Sequence, residues 1–203
     1  MTTCVFDSQN NFNHIEAACA YIGVDMADFN LRNEMFTHSQ HEPIHGIGHI
    51  YRTMIGCAML GVMLQKPREA LLAFCGAYIH DLARLDDGVE YMHGCDAARY
   101  KFPLFTALWD KYSLSEKERE WVCQAVSQHS TEEWMTVDDE GYDIMAILKD
   151  ADALDRCRIG DLDPSMLRYA ESRDLINLIA YYCSKTIAQN EDIEFKEFVG
   201  CCI

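Results

Sequence analysis

Residues 70–79, ALLAFCGAYI, are apolar on every side of a helical wheel. A helix without a polar face belongs at the centre of a bundle. The run ends abruptly in His80 and Asp81. Burying an ionised carboxylate without compensation costs many kcal/mol, so this helix end needs a partner for Asp81. Arg84, one turn on, is one candidate. A divalent cation is the stronger one, because the negative end of the helix dipole adds to its attraction. The bland alternative is a solvated helix end.

The rest of the chain also keeps a helical period. Ile47, Ile50, Tyr51, Met54, Ile55, Ala58, Met59 and Val62 fall on one helix face over 47–62. Ser115 and Glu118 form a capping-box pattern ahead of a helix carrying Trp121 to His129, and Asp87 with Glu90 is a weaker start signal. Residues 165–189 read as one further amphipathic helix and 131–141 as an acidic loop. Pro43, Pro67, Pro103 and Pro164 punctuate helices. No strand period, repeat or linker interrupts the pattern. The expectation is a single all-α domain over 1–203, a compact bundle of about six to eight helices.

The formal net charge of -16 argues against a nucleic-acid polymer or an anionic membrane as partner. A small phosphorylated ligand stays open, since one local cationic site overrides a global field. Ten cysteines are scattered without a CxxC pair, and most read as core residues. The start MTTCVFDSQNN lacks a signal-peptide pattern, and no apolar run approaches bilayer length. A cytoplasmic location with reduced thiols is expected. Cys201 and Cys202 carry no assigned role.

Chemistry has three further places to sit. In PIHGIGHIYRT, residues 43–53, His45, His49, Arg52 and Gly56 share the face opposite the apolar stripe. Either this is a solvated face, or it is a functional stripe with Gly56 admitting a neighbouring helix. The His45–His49 spacing matches half of a zinc-protease helix, but Gly46 stands where the catalytic glutamate is required. His129 lies on the apolar face of its helix, and His93 precedes small residues; a lone histidine in such a position is commonly a hydrogen-bonded core residue. In ILKDADALDR, residues 147–156, Leu154 and Asp155 break the EF-hand pattern. Asp152 and Asp155 share a helix face, while Asp150 points elsewhere.

Taken together, His49, His80-Asp81 and Asp152 stand in order on three helices. With their contexts HIYRT, AYIHDLAR and KDADALDR, they resemble the HD-domain metal-dependent phosphohydrolase superfamily over residues 45–160. The resemblance implies that His49, His80, Asp81 and Asp152 hold a divalent metal, with Asp150 as the reserve ligand. His93 and His129 resemble the histidines that bind a second metal or a phosphate in some members. It implies hydrolysis of a small phosphate ester or nucleotide by a metal-activated water, with Asp81 at the reacting centre and Arg84 and Arg52 as phosphate contacts. Arg52 has an alternative partner in Asp155 or another carboxylate. The mixed N/O set suits Mn, Fe, Co, Ni, Zn or Mg. The same scaffold hosts di-iron oxygenases, and a non-catalytic metal-binding or sensing module is the third class.

Overall fold

The computed structural model describes residues 8–37, 44–189 and 191–202. Pro43 and the first seven residues, on which two sequence expectations rest, lie outside them. Among the described residues the protein is all-α, without strands. Helices α1 (Ser8–Tyr21), α2 (Ile47–Leu64), α3 (Pro67–Ile79), α4 (His93–Asp96), α5 (Thr106–Lys111), α6 (Glu116–His129), α7 (Tyr142–Asp155), α8 (Ala170–Thr186) and α9 (Phe195–Cys201) are joined by turns, short 3-10 segments and a π-helical turn over Ala97–Lys101.

Helix α3 is central: every residue from Ala70 to Ile79 is buried, against α2, α6 and α7. Pro67 opens it at a position where its missing N–H costs nothing. Helix α2 ends just before, at Gln65, whose φ of 56° turns the chain sharply. Helix α2 packs on α1, α3, α7 and α8. Its 18 residues are long and apolar enough to cross a membrane, which corrects the expectation that no run approaches that length. Yet most of α2 is buried inside the bundle, as befits a core helix.

Ser115 accepts from the Glu118 amide while the Glu118 carboxylate accepts from the Ser115 amide at 2.8 Å, so the expected capping box starts α6. The Asp87/Glu90 signal does not start a helix. Glu90 accepts from the Leu85 amide at 3.0 Å instead, and α4 begins only at His93. The helix expected over 165–189 begins at Ala170. The amides of Arg168 and Tyr169 are held by the Asp150 carboxylate, each at 3.0 Å, and cannot enter a helical ladder earlier.

Two glycines set the helix approaches that matter for function. A Cβ on Gly56 of α2 would stand 3.0 Å from the Ala151 Cβ of α7. The expected close approach at Gly56 is therefore real, and it draws Asp152 and Asp155 toward His49. A Cβ on Gly94 of α4 would collide with the Val126 carbonyl of α6. That contact brings His93 against His129.

Candidate metal centre

Five helix ends meet at one point. His49 lies in the first turn of α2, His80 and Asp81 directly follow α3, His93 opens α4, His129 closes α6, and Asp152 lies in the last turn of α7. Three of these ends (α3, α6 and α7) are C-terminal, and their partial negative charge favours a cation.

The side chains form two groups that share Asp81, and each has the composition and spacing to hold a metal ion. In the first, His49 Nε2 lies 3.2 Å from His80 Nε2 and 3.3 Å from Asp81 Oδ2. Asp152 Oδ1 approaches the same His49 nitrogen at 3.2 Å and His80 Nε2 at 3.9 Å. In the second, Asp81 Oδ1 lies 3.1 Å from His93 Nε2 and 3.5 Å from His129 Nε2. Those two nitrogens are 2.9 Å apart. Asp81 thus turns one oxygen to each group. His49, His80, Asp81, His93 and His129 are all buried.

The outer contacts fix the rings. His80 Nδ1 donates to the Ala77 carbonyl at 2.7 Å, and His129 Nδ1 to the Val126 carbonyl at 2.6 Å. His93 Nδ1 donates to the Glu90 carbonyl. His49 Nδ1 faces Asp155 Oδ2 at 2.7 Å. Each partner is an acceptor only, so each Nδ1 carries the proton. A neutral ring then presents a bare Nε2 lone pair inward. Pairs of such lone pairs at 2.9 and 3.2 Å repel unless a cation or a proton stands between them. Nδ1 contacts of this kind orient metal-binding histidines and raise their basicity.

The charge balance points the same way. Burial alone would lower the His49 pKa, but Asp152, Asp155 and Asp81 together raise it to about 10. Burial drives His80 down to about 4, so it is neutral at pH 7. The Asp81 carboxyl would be raised by burial. The surrounding rings of His80, His129, His49 and His93 hold it well below the ordinary range instead. Asp152 is held low against burial by His49, His80 and His129. The donor set carries a surplus of anionic oxygen, and in the metal-free state a proton on His49 answers it. A divalent cation fits this set.

The expected ligands His49, His80, Asp81, His93, His129 and Asp152 all converge. The reserve, Asp150, does not: its carboxylate takes the Arg168 and Tyr169 amides and the Ser172 hydroxyl, the last at 2.7 Å. Arg52 departs from its expected role as a phosphate contact. Its guanidinium is buried and binds Asp155, with Nε at 2.5 Å from Oδ1 and Nη2 at 3.2 Å from Oδ2. Nη1 donates to the Thr186 hydroxyl at 3.1 Å. The alternative pairing with Asp155 is the one adopted, because α2 and α7 approach closely at Gly56. Arg52 is a positioning residue that acts on His49 through Asp155.

A pocket of about 470 Å³ opens over the centre, lined by His49, Asp81, His93, His129 and Asp152 and by Arg84, Arg156 and Arg158. Arg84 Nη1 lies 3.1 Å from His93 Nε2 and 3.8 Å from Asp81 Oδ1. It places a positive charge beside the second group. Two contributors escaped the sequence reading, Arg156 and Arg158 on the turn after α7; His45, from the candidate functional stripe, pairs with Asp87 at the rim, with Nδ1 and Oδ1 2.6 Å apart. The basic run DRCRIG, residues 155–160, was the available signal for the two arginines. Comparison with protein-family models, curated proteins and solved structures gave no match.

Proposed function

We propose that this chain is a metal-dependent phosphohydrolase acting on a small phosphate ester or nucleotide. The observation that carries the reading is Asp81, shared between two histidine groups on the floor of a pocket that three arginines line. The resemblance of the His49, His80-Asp81, Asp152 series to the HD-domain superfamily supports it.

In this reading His49, His80, Asp81 and Asp152 hold the first divalent ion, and Asp81, His93 and His129 hold the second. A bound ion lowers the pKa of a coordinated water toward neutrality and offsets charge on the phosphoryl oxygens. The protein does the rest. Ala77, Val126, Glu90 and Asp155 hold the four imidazoles with Nε2 inward. Arg84 moves from His93 onto the substrate phosphate, for which a guanidinium is a bidentate partner. Arg156 and Arg158 supply local positive charge in a chain whose net charge is -16. That balance favours a small anion over a polyanion.

The test is metal analysis of protein purified without chelator, followed by a nucleotide and sugar-phosphate panel with the retained metal. Phosphate release that Asp81→Ala abolishes is expected. A metal-loaded protein inactive across the panel overturns the reading. Four imidazoles around a shared carboxylate also suit two irons, so the second reading is a di-iron oxygenase on the same scaffold. It requires iron as the dominant metal and substrate-dependent oxygen consumption. Metal that raises thermal stability without any turnover identifies a non-catalytic module.

A further inference from the structure

Outside the lining of the pocket, two thiols face each other. Cys157, half-buried on the 3-10 turn Arg156–Ile159, has its Sγ 3.6 Å from that of Cys183 on α8. Cys183 Sγ also lies 3.2 Å from Asp155 Oδ1, on the carboxylate that orients His49. We propose that Cys157 and Cys183 are a redox modification site: a peroxide converts them to a disulfide that reports on the metal centre through Asp155.

Geometry favours the pair. A disulfide needs its sulfurs at about 2.05 Å, so thiols 3.6 Å apart close by about 1.5 Å. The two positions also divide the labour. Cys157 is the partly exposed one, and the Arg52 and Arg158 guanidiniums nearby favour its thiolate. Cys183 is buried, and its proton faces Asp155 Oδ1. Cys157 is therefore the attacking thiol and Cys183 the resolving one. Burial pushes Cys19 and Cys202 up to about 12 and Cys123 to about 11, so they do not compete as nucleophiles.

The chemistry balances with hydrogen peroxide as oxidant. The Cys157 thiolate attacks one peroxide oxygen, the O–O bond breaks, and hydroxide leaves to take a proton as water. Cys157 is then a sulfenic acid. The Cys183 sulfur forms the S–S bond and displaces the second oxygen, which leaves as water with the Cys183 proton. Two thiols lose two electrons, and the peroxide becomes two waters. The product removes the S–H facing Asp155. It also ties the turn carrying Arg156 and Arg158 to α8. Both effects bear on the centre without touching a ligand.

The experiment uses the full chain, reduced and metal-free, exposed to a small excess of hydrogen peroxide and then alkylated. Trypsin cuts after Arg156, Arg158, Arg173 and Lys185, so the disulfide joins the dipeptide Cys157-Arg158 to residues 174–185. The expected result is that linked peptide, with an intact mass lower by two hydrogens and restored by dithiothreitol. In Cys183→Ser, whose hydroxyl still donates to Asp155, the link is lost and dimedone traps a sulfenic acid at Cys157. Equal alkylation of Cys157 with and without peroxide overturns the proposal. So does a link to any other cysteine in place of Cys183.

Discussion

Asp155 connects stability to function, and replacing it with asparagine separates the two. The carboxylate is fully buried. It binds the Arg52 guanidinium by two contacts, His49 Nδ1 at 2.7 Å, and Arg158 Nε at 3.3 Å. Arg52 and His49 hold its pKa far below the usual range against the effect of burial. Asp155→Asn keeps the shape and one acceptor but leaves Arg52, itself buried, without a counter-charge. Breaking a buried pair in this way costs about 3–5 kcal/mol, and the retained acceptor places this variant near 3. The melting temperature of a chain this long then falls by roughly 6–12 °C. Metal affinity falls separately, by about 10–100-fold, because a ligand histidine loses its anionic outer partner.

The assay is urea unfolding of metal-free protein alongside metal titration. The double variant Arg52→Met/Asp155→Leu supplies the control. Replacing a buried ion pair by apolar side chains is often neutral or better, and Arg158 keeps its hydrogen bonds to the Asp155 and Ile44 carbonyls. Most of the stability returns in the double variant, while metal affinity stays low because leucine offers His49 Nδ1 no acceptor in place of the Asp155 carboxylate. A loss below about 1 kcal/mol in Asp155→Asn, or a double variant that recovers its metal affinity, would refute the reasoning.

Gly94→Ala drives a methyl into the Val126 carbonyl and to 2.9 Å from His129 Nδ1, at a cost of about 1–3 kcal/mol. It parts His93 from His129, so bound metal drops by one equivalent while the His49–His80 group keeps its ion; unchanged stoichiometry by elemental analysis contradicts this. Saturating divalent metal at 100 times its dissociation constant adds about 2.7 kcal/mol, or roughly 5–10 °C in a thermal melt, and chelator reverses it. Absence of any shift with Mn, Fe, Co, Ni, Zn or Mg removes the centre. Glu118 is held at about 2, down from 4.5, chiefly by its hydrogen bond with Arg68. A depressed carboxylate contributes stability above its unfolded pKa and loses it as pH falls, here between about 4.5 and 2. Arg68→Met removes that dependence; with Arg68 partly exposed the effect is below about 1 kcal/mol, read as a flatter stability profile over that range.

The helices were legible because burial and period agree. An all-apolar 70–79 has no surface solution, and α3 is the central element. Ser115 and Glu118 announced a helix start because a capping box closes within four residues. The misjudged start of α8 has the opposite character. The 165–189 stretch has helical amphipathicity throughout, but its first turn is claimed by Asp150, a carboxylate on another helix. Local pattern carries no record of that competition.

The centre divides in the same way. His49, His80, Asp81, His93, His129 and Asp152 could be named because their order and contexts along the chain resemble the HD-domain series; each read alone leaves a structural alternative open. Arg52 was misassigned because a guanidinium serves a phosphate and a carboxylate equally well. Only the distance between α2 and α7 decides, and that distance is set by what Gly56 lacks, a Cβ against Ala151. The preference of Asp152 over Asp150 is a rotation about one helix axis. Asp152 points into the centre because Asp150, two residues earlier, points out to Arg168 and Ser172. The inner set can be read from its order along the chain; each residue of the outer set takes its role from a neighbour brought in by the fold. Substitutions in the outer set therefore discriminate between metal binding and mere structural packing, since the inner set serves both at once.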